Sequence, residues 1–292
     1  MSEWESRVDE WVQQACIAEV SAEKPGNVTP AHDFDDVSIQ EFMQSARIIA
    51  PIVATADTNG VGRTIFEAVK ATRAAVDHNT NLGIVLLLTP LAAVPEHSSI
   101  GDGIESVLTA LTVEDAELAY EAIRAANPGG LGTADSEDVT GRPSQDLRSC
   151  MKLAADRDLV AAQYANGFHD VLNVCLPLLR DAEDSFLNTS VRIGWLATHL
   201  LARYGDSLIR RKCGDEIEMT VRAMANAVLA AGWPNRTGGE AAWHRLDRFL
   251  RADGNRRNPG TTADLVAATL FVALRQEDGV MDPQGQIQFF RQ

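Results

Sequence analysis

Charged side chains suited to phosphate chemistry lie at a predicted helix end early in the chain. Apolar residues recur at three- and four-residue spacing up to Glu19, and the pattern stops at Lys24, Pro25 and Gly26, because proline and glycine break a helix. Gly26 would let a ligand approach the backbone, and the Lys24 ammonium is a compact charge suited to a phosphate. Since a helix stop needs only proline and glycine, a purely structural turn is the first alternative.

A dense group of oxygen ligands follows this turn. Asp33, Asp35 and Asp36 lie beside His32, and carboxylates spaced this closely suit Mg²⁺ that carries a polyphosphate. One interpretation is therefore a magnesium site in this acidic cluster. The alternative, which the sequence favours equally, is a solvated acidic loop that caps a helix beginning near Ser38.

A third group of polar residues precedes the most apolar segment of the chain, residues 82–94. Asn79, Thr80 and Asn81 stand directly before this segment, whereas one such residue would be enough to cap a helix. The surplus favours contact with the hydroxyls or base of a nucleotide, held at the positive end of the helix.

The last long helix is predicted to open with the sequence NPGTTAD, residues 258–264. This sequence exposes backbone amides and hydroxyls that suit a phosphate, and Thr261 and Asp264 stand at capping-box spacing. It is not a Walker loop, because the Gly-Lys-Ser/Thr end is absent.

One further carboxylate stands close to several cations. Asp206 is followed by Arg210, Arg211 and Lys212. Such a group either binds an anion or forms a buried pair that only holds helices together, and the sequence leaves both open.

Helical periodicity surrounds these positions almost everywhere. Thr112 and Asp115 form a capping-box pattern before a helix that ends at Ala126, and glycine- and acid-rich residues 129–145 predict a mobile loop. The remaining predicted helices span residues 147–165, 168–179, 189–202, 215–229, 239–251 and 262–275. No alternating strand of five or more residues and no internal repeat is found. We predict an all-α single domain over residues 1–292, with ten to twelve helices around a buried central helix.

Composition excludes several classes of protein. The chain has 292 residues with 26 basic and 41 acidic side chains, a net charge of -15, and nucleic-acid binding needs a positive face. Its four cysteines are far apart and form no metal or redox pair. The acidic start lacks the features of a signal peptide, and the longest apolar run is shorter than the about 20 residues that span a bilayer. We expect a cytoplasmic protein without nucleic-acid or membrane partners. The oligomeric state stays open, a homodimer included.

Taken in order, these segments resemble the triphosphoribosyl-dephospho-CoA synthase family. The resemblance rests on Glu19 and Val20 before the sequence KPGNV, on TNLG at residues 80–83, on Asp206 before Arg210, and on NPGTTADL at residues 258–265. It covers nearly the whole chain, and the family is all-helical. Its known members transfer the triphosphoribosyl part of ATP to the 2′-hydroxyl of dephospho-CoA and release adenine.

The resemblance implies a transferase that uses ATP, a nucleotide-like acceptor and Mg²⁺ on Asp35 and Asp36. Cleavage of the bond between ribose and adenine passes through an oxocarbenium-like state that a carboxylate stabilises, and the acceptor hydroxyl needs a base. Glu19 and Asp206 are the candidates for these two catalytic roles, in an order that the sequence does not give. The predicted substrate- and phosphate-binding residues are Lys24, Gly26, Asn27, Asn79, Asn81, Arg210, Arg211, Asn258, Gly260, Thr261, Thr262 and Asp264.

The acceptor is the least determined part of this interpretation. The prosthetic-group enzymes carry Gly-Ala-His-x-Asp-Met after Lys-Pro-Gly, whereas this chain keeps only Ala31 and His32 and has its acids shifted. Residues 151–159 resemble a divergent, archaeal-type branch, whose members need not serve citrate lyase. Three alternatives follow: a related enzyme with another acceptor, for example in methanopterin-linked one-carbon metabolism; a non-catalytic nucleotide-binding or scaffold protein; and, more distantly, a hydrolase of ADP-ribosyl groups.

Overall fold

Helix follows helix along nearly the entire chain. A computed structural model describes residues 1–34, 37–76, 78–134, 136–185, 188–277, 280–281 and 287–288. In chain order the α-helices are α1 (Glu3–Ser21), α2 (Ile39–Val53), α3 (Ala56–Asn59), α4 (Val61–Ala75), α5 (Leu82–Ala92), α6 (Ile100–Thr109), α7 (Val113–Ala126), α8 (Leu147–Ala154), α9 (Leu159–Asn166), α10 (Leu176–Ser185), α11 (Thr189–Tyr204), α12 (Ser207–Cys213), α13 (Asp215–Ala230), α14 (Thr237–Arg251) and α15 (Gly260–Glu277). A π-helical turn, Val171–Cys175, precedes α10, and two short strands, β1 (Val280–Met281) and β2 (Ile287–Gln288), pair antiparallel. The all-α prediction is confirmed.

The described residues contain fifteen α-helices, more than the ten to twelve expected. One predicted helix, residues 147–165, is divided into α8 and α9 because Asp158 starts a new helix, accepting from the backbone N–H groups of Val160 and Ala161. Helices α3 and α12 are too short to show a period, and α6 contains two glycines, which disfavour helix.

Helix α5 is buried on nearly all sides, which confirms the predicted central helix. It packs against α2, α4, α6, α9 and α15, and its apolar side chains from Leu82 to Leu91 are less than a tenth exposed. An apolar surface around the whole circumference needs such neighbours on every side.

Helices α5 and α15 run parallel through the core. At one end, Gly83 of α5 lies against the carboxylate of Asp264 in α15. At the other end, the Arg275 guanidinium of α15 donates to the carbonyl oxygens of Leu91 and Val94, at 3.0 and 2.8 Å. The two helix N-termini therefore open on the same side of the molecule.

The two predicted capping boxes have different outcomes. The box at Thr112 and Asp115 is formed at the start of α7. The box at Thr261 and Asp264 is wrong, because α15 begins at Gly260 and its first turn is capped from another helix: Thr262 donates its N–H to Asp206 at 2.8 Å.

None of the described helices combines the length and the apolar character needed to cross a membrane.

Candidate active site

A cavity of about 440 Å³ opens beside the N-termini of α5 and α15. Its walls come from the end of α1, the turn after it, the first residues of α5, α9 and α15, parts of α7, α8 and α12, and, in the segment 128–139, residues 128–129, 131–134 and 136–139. This volume falls within the range of small-molecule sites. The segment 128–139 belongs to the loop predicted to be mobile, and its mobility stays a prediction.

Three helix N-termini converge on this cavity. Asn81 immediately precedes α5, Asp158 caps α9, and Gly260 begins α15, and all three residues line the wall. The N-terminal end of a helix carries a partial positive charge and free backbone N–H groups. The arrangement therefore favours a ligand with several negative charges on this side of the cavity.

Most of the predicted site residues are brought together here. Those that line the cavity are Glu19, Asn27, Asn79, Asn81, Arg211, Asn258, Gly260, Thr261 and Asp264. Five further predicted residues are described by the structure but do not line the cavity: Lys24, Gly26, Arg210, Thr262 and Asp206. Asp35 and Asp36 lie outside the described residues.

Asp206 is enclosed by its own hydrogen bonds. It is 1% exposed; one oxygen accepts from the N–H groups of Leu208 and Ile209, at 2.9 and 3.0 Å, and the other accepts from the N–H and hydroxyl of Thr262, both at 2.8 Å. Burial raises the pKa of Asp206 to about 6, and these hydrogen bonds oppose the rise. With four donors around it, the carboxylate ties α12 to α15 and has no free edge towards the cavity.

Lys24 and Gly26 shape the turn after α1. The Lys24 side chain is fully buried and donates to the backbone oxygens of Glu19 and Ala22, and to the carboxylate of Glu19 at 3.2 Å. Since an ammonium has three N–H groups and Lys24 uses three acceptors, none is left for a phosphate. Gly26 has a φ of 75° and packs against Leu250, where a side chain would overlap.

Arg210 points away from the cavity as well. It is half exposed and bonded to Asp215 through Nε at 2.6 Å and to the Asp156 carbonyl at 3.2 Å.

Two buried polar atoms in the cavity wall lack a hydrogen-bond partner among the described residues. The first is Oδ1 of Asn27, whose Nδ2 donates to Asn258 Oδ1 at 2.8 Å. The second is Nε of Arg211, whose Nη1 donates to Asp158 Oδ2 at 2.5 Å. A buried donor or acceptor without a partner costs free energy, so both atoms favour a polar ligand.

Glu19 and Asp264 form a carboxylate pair in the cavity wall. Burial raises the pKa of Glu19, while the charge and hydrogen bond of Lys24 oppose the rise. Burial raises the pKa of Asp264 well above its usual range, and the negative charge of Glu19 adds to the effect. None of the hydrogen bonds described for the chain involves the Asp264 carboxyl. The two carboxyl groups therefore have different surroundings: Glu19 has a cation beside it, and Asp264 has the negative charge of Glu19.

Sequence reasoning did not assign several residues of the wall. Asp158 is not among the residues predicted for the site, although an aspartate before an apolar run is an N-cap signal. No sequence pattern marked Tyr120 or Glu137 as part of the site. In the structure the Tyr120 hydroxyl donates to the Glu137 carbonyl at 2.6 Å and so links this part of the segment 128–139 to α7. Such a contact joins positions with no common pattern.

The described residues contain no group of three or more histidine, cysteine or acidic side chains that could hold a metal ion. Asp33, the described member of the predicted acidic cluster, accepts from the backbone N–H of Ile39 at 2.6 Å and so caps α2. This contact agrees with the capping alternative for Asp33.

The fold and the cavity define an all-helical protein with a small-molecule site at converging helix ends. A family model described as ATP:dephospho-CoA triphosphoribosyl transferase (CitG) matches residues 5–282. The chain belongs to this family, whose activity is the one that the sequence motifs predict.

A solved structure agrees with this assignment. The crystal structure of a protein from Archaeoglobus fulgidus, provisionally assigned as a triphosphoribosyl-dephospho-CoA synthase, is 26% identical with a TM-score of 0.63. The match covers 80% of this chain and 98% of that one. No curated protein matches the chain at a significant level.

Proposed function

We propose that the transfer takes place in this cavity, with ATP as donor and dephospho-CoA as the first candidate for the acceptor. One observation supports the proposal above all others: two carboxyl groups, the buried Glu19 and the partly buried Asp264, line a cavity on which three helix N-termini converge. The reaction requires both parts, since the donor carries a triphosphate and its ribose must pass through a cationic state.

The triphosphate lies against the N-termini of α5, α9 and α15. The free Nε of Arg211 supplies a charged donor there, and the partial positive charge at the start of α15 adds to it. The Asn27 Oδ1 atom, which is an acceptor, suits a ribose hydroxyl or the amino group of adenine.

Two carboxyl groups, of which only Glu19 has a cation beside it, suit the chemical step. The bond from C1′ of ribose to N9 of adenine breaks, its electron pair leaves with adenine, and the acceptor 2′-oxygen bonds to C1′. Glu19, beside Lys24, takes the proton of the 2′-hydroxyl and stabilises the cationic ribose, while Asp264 donates a proton to the departing adenine. In this assignment Asp264 takes the catalytic role that the sequence analysis gave to Asp206, because the oxygens of Asp206 already accept hydrogen bonds from four donors.

Mg²⁺ is part of the proposal as a companion of ATP. Mg²⁺ is usually held by one or two carboxylates together with phosphate oxygens and water, so it does not need a cluster of three protein ligands. Asp35 and Asp36 are the proposed ligands. When bound, the ion neutralises phosphate charge; loss of activity on chelation and its return with Mg²⁺ test this part.

The activity is tested by measuring free adenine chromatographically after incubation with ATP and Mg²⁺, with and without dephospho-CoA. Adenine that forms only with dephospho-CoA supports the proposed acceptor. Adenine that forms only with another acceptor identifies a related enzyme, and ribose products formed without an acceptor identify a hydrolase. If the protein binds ATP tightly but releases no adenine under any of these conditions, it is a nucleotide-binding protein without the transferase activity, and the proposal is contradicted.

Substitution of Gly83 by alanine tests the position of Asp264. A methyl group at Gly83 would overlap the Asp264 carboxylate, so this side chain has to move away from α5. We expect the kcat/KM for adenine release to fall about 100-fold, because a displacement of about 1 Å at a reacting group has an effect of that size. The melting temperature should not fall greatly, since alanine favours helix over glycine.

Gly101→Ala is the matched control. Gly101 also lies in a helix, α6, and a methyl group there meets nothing within 4 Å. This variant should keep the wild-type kcat/KM. If both variants retain full activity, Asp264 does not need its present position and is not the proton donor.

A further inference from the structure

The ammonium of Lys24 is one of the few charges in this protein without any contact with water. Its side chain is 0% exposed, and all three of its acceptors belong to α1 or the residue after it: the Glu19 and Ala22 carbonyls and the Glu19 carboxylate. An ammonium loses much hydration free energy on burial, and the contact with a carboxylate offsets this loss only when the geometry is good. The side chain therefore folds back onto the helix that it follows instead of reaching a ligand.

Glu19 connects this ion pair to the cavity. Its side chain is 6% exposed and lines the cavity wall, whereas Lys24 is not part of the wall. Among the described residues, the titratable groups that interact with Glu19 are Lys24 from the turn, Asp264 from α15 and Cys16 from α1 itself. The polar side chains of Thr80 and Asn81, which are neutral, share the wall. Lys24 is the cation in this set and favours the charged form of Glu19, whereas burial favours the neutral form.

We infer that Lys24 is a positioning residue of the transfer reaction: it holds the Glu19 carboxylate in one orientation and in its charged form, and it does not bind the triphosphate. This inference rests on the proposed function, because it gives Lys24 a role only through Glu19. It also explains how a carboxylate can act as a base in a buried site next to a second carboxyl group, where it would otherwise take up a proton.

A purely structural role makes a different prediction. Lys24 also donates to two backbone oxygens at the end of α1, and a lysine that only capped this helix would affect stability without regard to Glu19. The two roles are separated by the pH dependence of turnover and by a double-mutant cycle with Glu19.

The experiment compares Lys24→Met, Lys24→Arg, Glu19→Gln and the double variant in the adenine-release assay. Lys24→Met should lower kcat about 100-fold at pH 7 and move the acidic limb of the pH profile up by about two units, because Glu19 then holds its proton. The KM for ATP should change by less than about threefold. Lys24→Arg keeps the positive charge, and its kcat should be at least about tenfold higher than that of Lys24→Met. In the Glu19→Gln background, Lys24→Met should add less than about a threefold loss.

Arg251→Met is the matched control. Arg251 pairs with Asp247 at 2.8 Å and donates to the Asn27 carbonyl at 2.8 Å, so it supports the same turn without contacting Glu19. Its loss should raise the KM for ATP and leave the pH dependence of kcat in place. If Lys24→Met does not fold, the double variant can still be compared with Glu19→Gln alone. The double variant removes both buried charges, so neither charge is left unpaired.

Several outcomes would overturn the inference. An unchanged pH profile in Lys24→Met, or equal losses in the wild-type and Glu19→Gln backgrounds, would show a structural role. A KM for ATP raised tenfold or more with kcat unchanged would show a phosphate contact. Wild-type protein that releases no adenine with any acceptor would overturn the proposed function and this inference with it, whereas the other outcomes leave the proposed function standing.

Discussion

Replacing Glu19 with glutamine is expected to lower the turnover number for adenine release about 1,000-fold, within the range that a general base contributes. Glutamine has the shape of glutamate and keeps an oxygen for Lys24, but it can neither accept a proton from the 2′-hydroxyl nor balance the charge of the ribose cation. Because the proposed role of Glu19 is at the ribose and the acceptor hydroxyl and not at the triphosphate, the binding of ATP should change less than about threefold. The kcat from adenine release and the ATP affinity from calorimetry measure the two effects.

Glu10→Gln is the control for this prediction. Glu10 is also on α1 but is exposed, and it accepts a hydrogen bond from Gln14 at 2.8 Å. This variant should keep wild-type kcat and stability. A Glu19→Gln variant with kcat within fivefold of the wild type would remove Glu19 from the mechanism and leave Asp264 as the acidic group of the cavity to be tested.

The helix starts at the cavity could be predicted because their signals are local. Asn81 stands directly before the apolar run of α5, and the Pro259-Gly260 step opens α15, so a few neighbouring residues determine each boundary. The convergence of these ends also follows in part from sequence. An apolar helix such as α5 must be central, and the other helices must pack around it.

The directions of the charged side chains could not be predicted, because their partners are distant along the chain. Asp206 bonds to Thr262, 56 positions away, and Asp158 bonds to Arg211, 53 positions away. Local sequence shows that an aspartate precedes a helix, but not whether its second oxygen faces a ligand or another helix. For this reason the sequence favoured Asp206 as a catalytic group, and Asp158 was not considered as part of the site.

Lys24 presents the same problem over a short distance. A lysine before Pro-Gly can extend from the turn or fold back over the preceding helix, and both conformers satisfy the local pattern. The buried carboxylate of Glu19 decides between them, and its burial depends on how α1 packs against α2 and α15. Only the assembled core determines that packing.

Replacing Asp206 with asparagine is expected to lower the stability of the protein substantially. Its two oxygens accept four hydrogen bonds, two from the first turn of α12 and two from Thr262 of α15. Asparagine offers one oxygen, so its NH₂ group must face the donors of one of these helices. Buried donors without a partner cost about 1 to 3 kcal/mol each, and we expect a decrease of about 3 kcal/mol in the free energy of unfolding, measured by urea denaturation at pH 7.5. The kcat/KM for adenine release should also fall about 100-fold, since the first turn of α15 borders the cavity.

Asp146→Asn separates this effect from an ordinary loss of helix capping. Asp146 caps α8 through the N–H and hydroxyl of Ser149, at 2.9 and 2.7 Å, but both partners belong to its own helix. Asparagine is as good an N-cap as aspartate, so this variant should lose less than about 1 kcal/mol. Asp206 differs because its second oxygen joins two helices whose ends must meet at the cavity. If the two variants were equally stable, the bonds from Thr262 would contribute nothing to holding α12 against α15, and Asp206 would be free to act as the catalytic carboxylate that the sequence suggested.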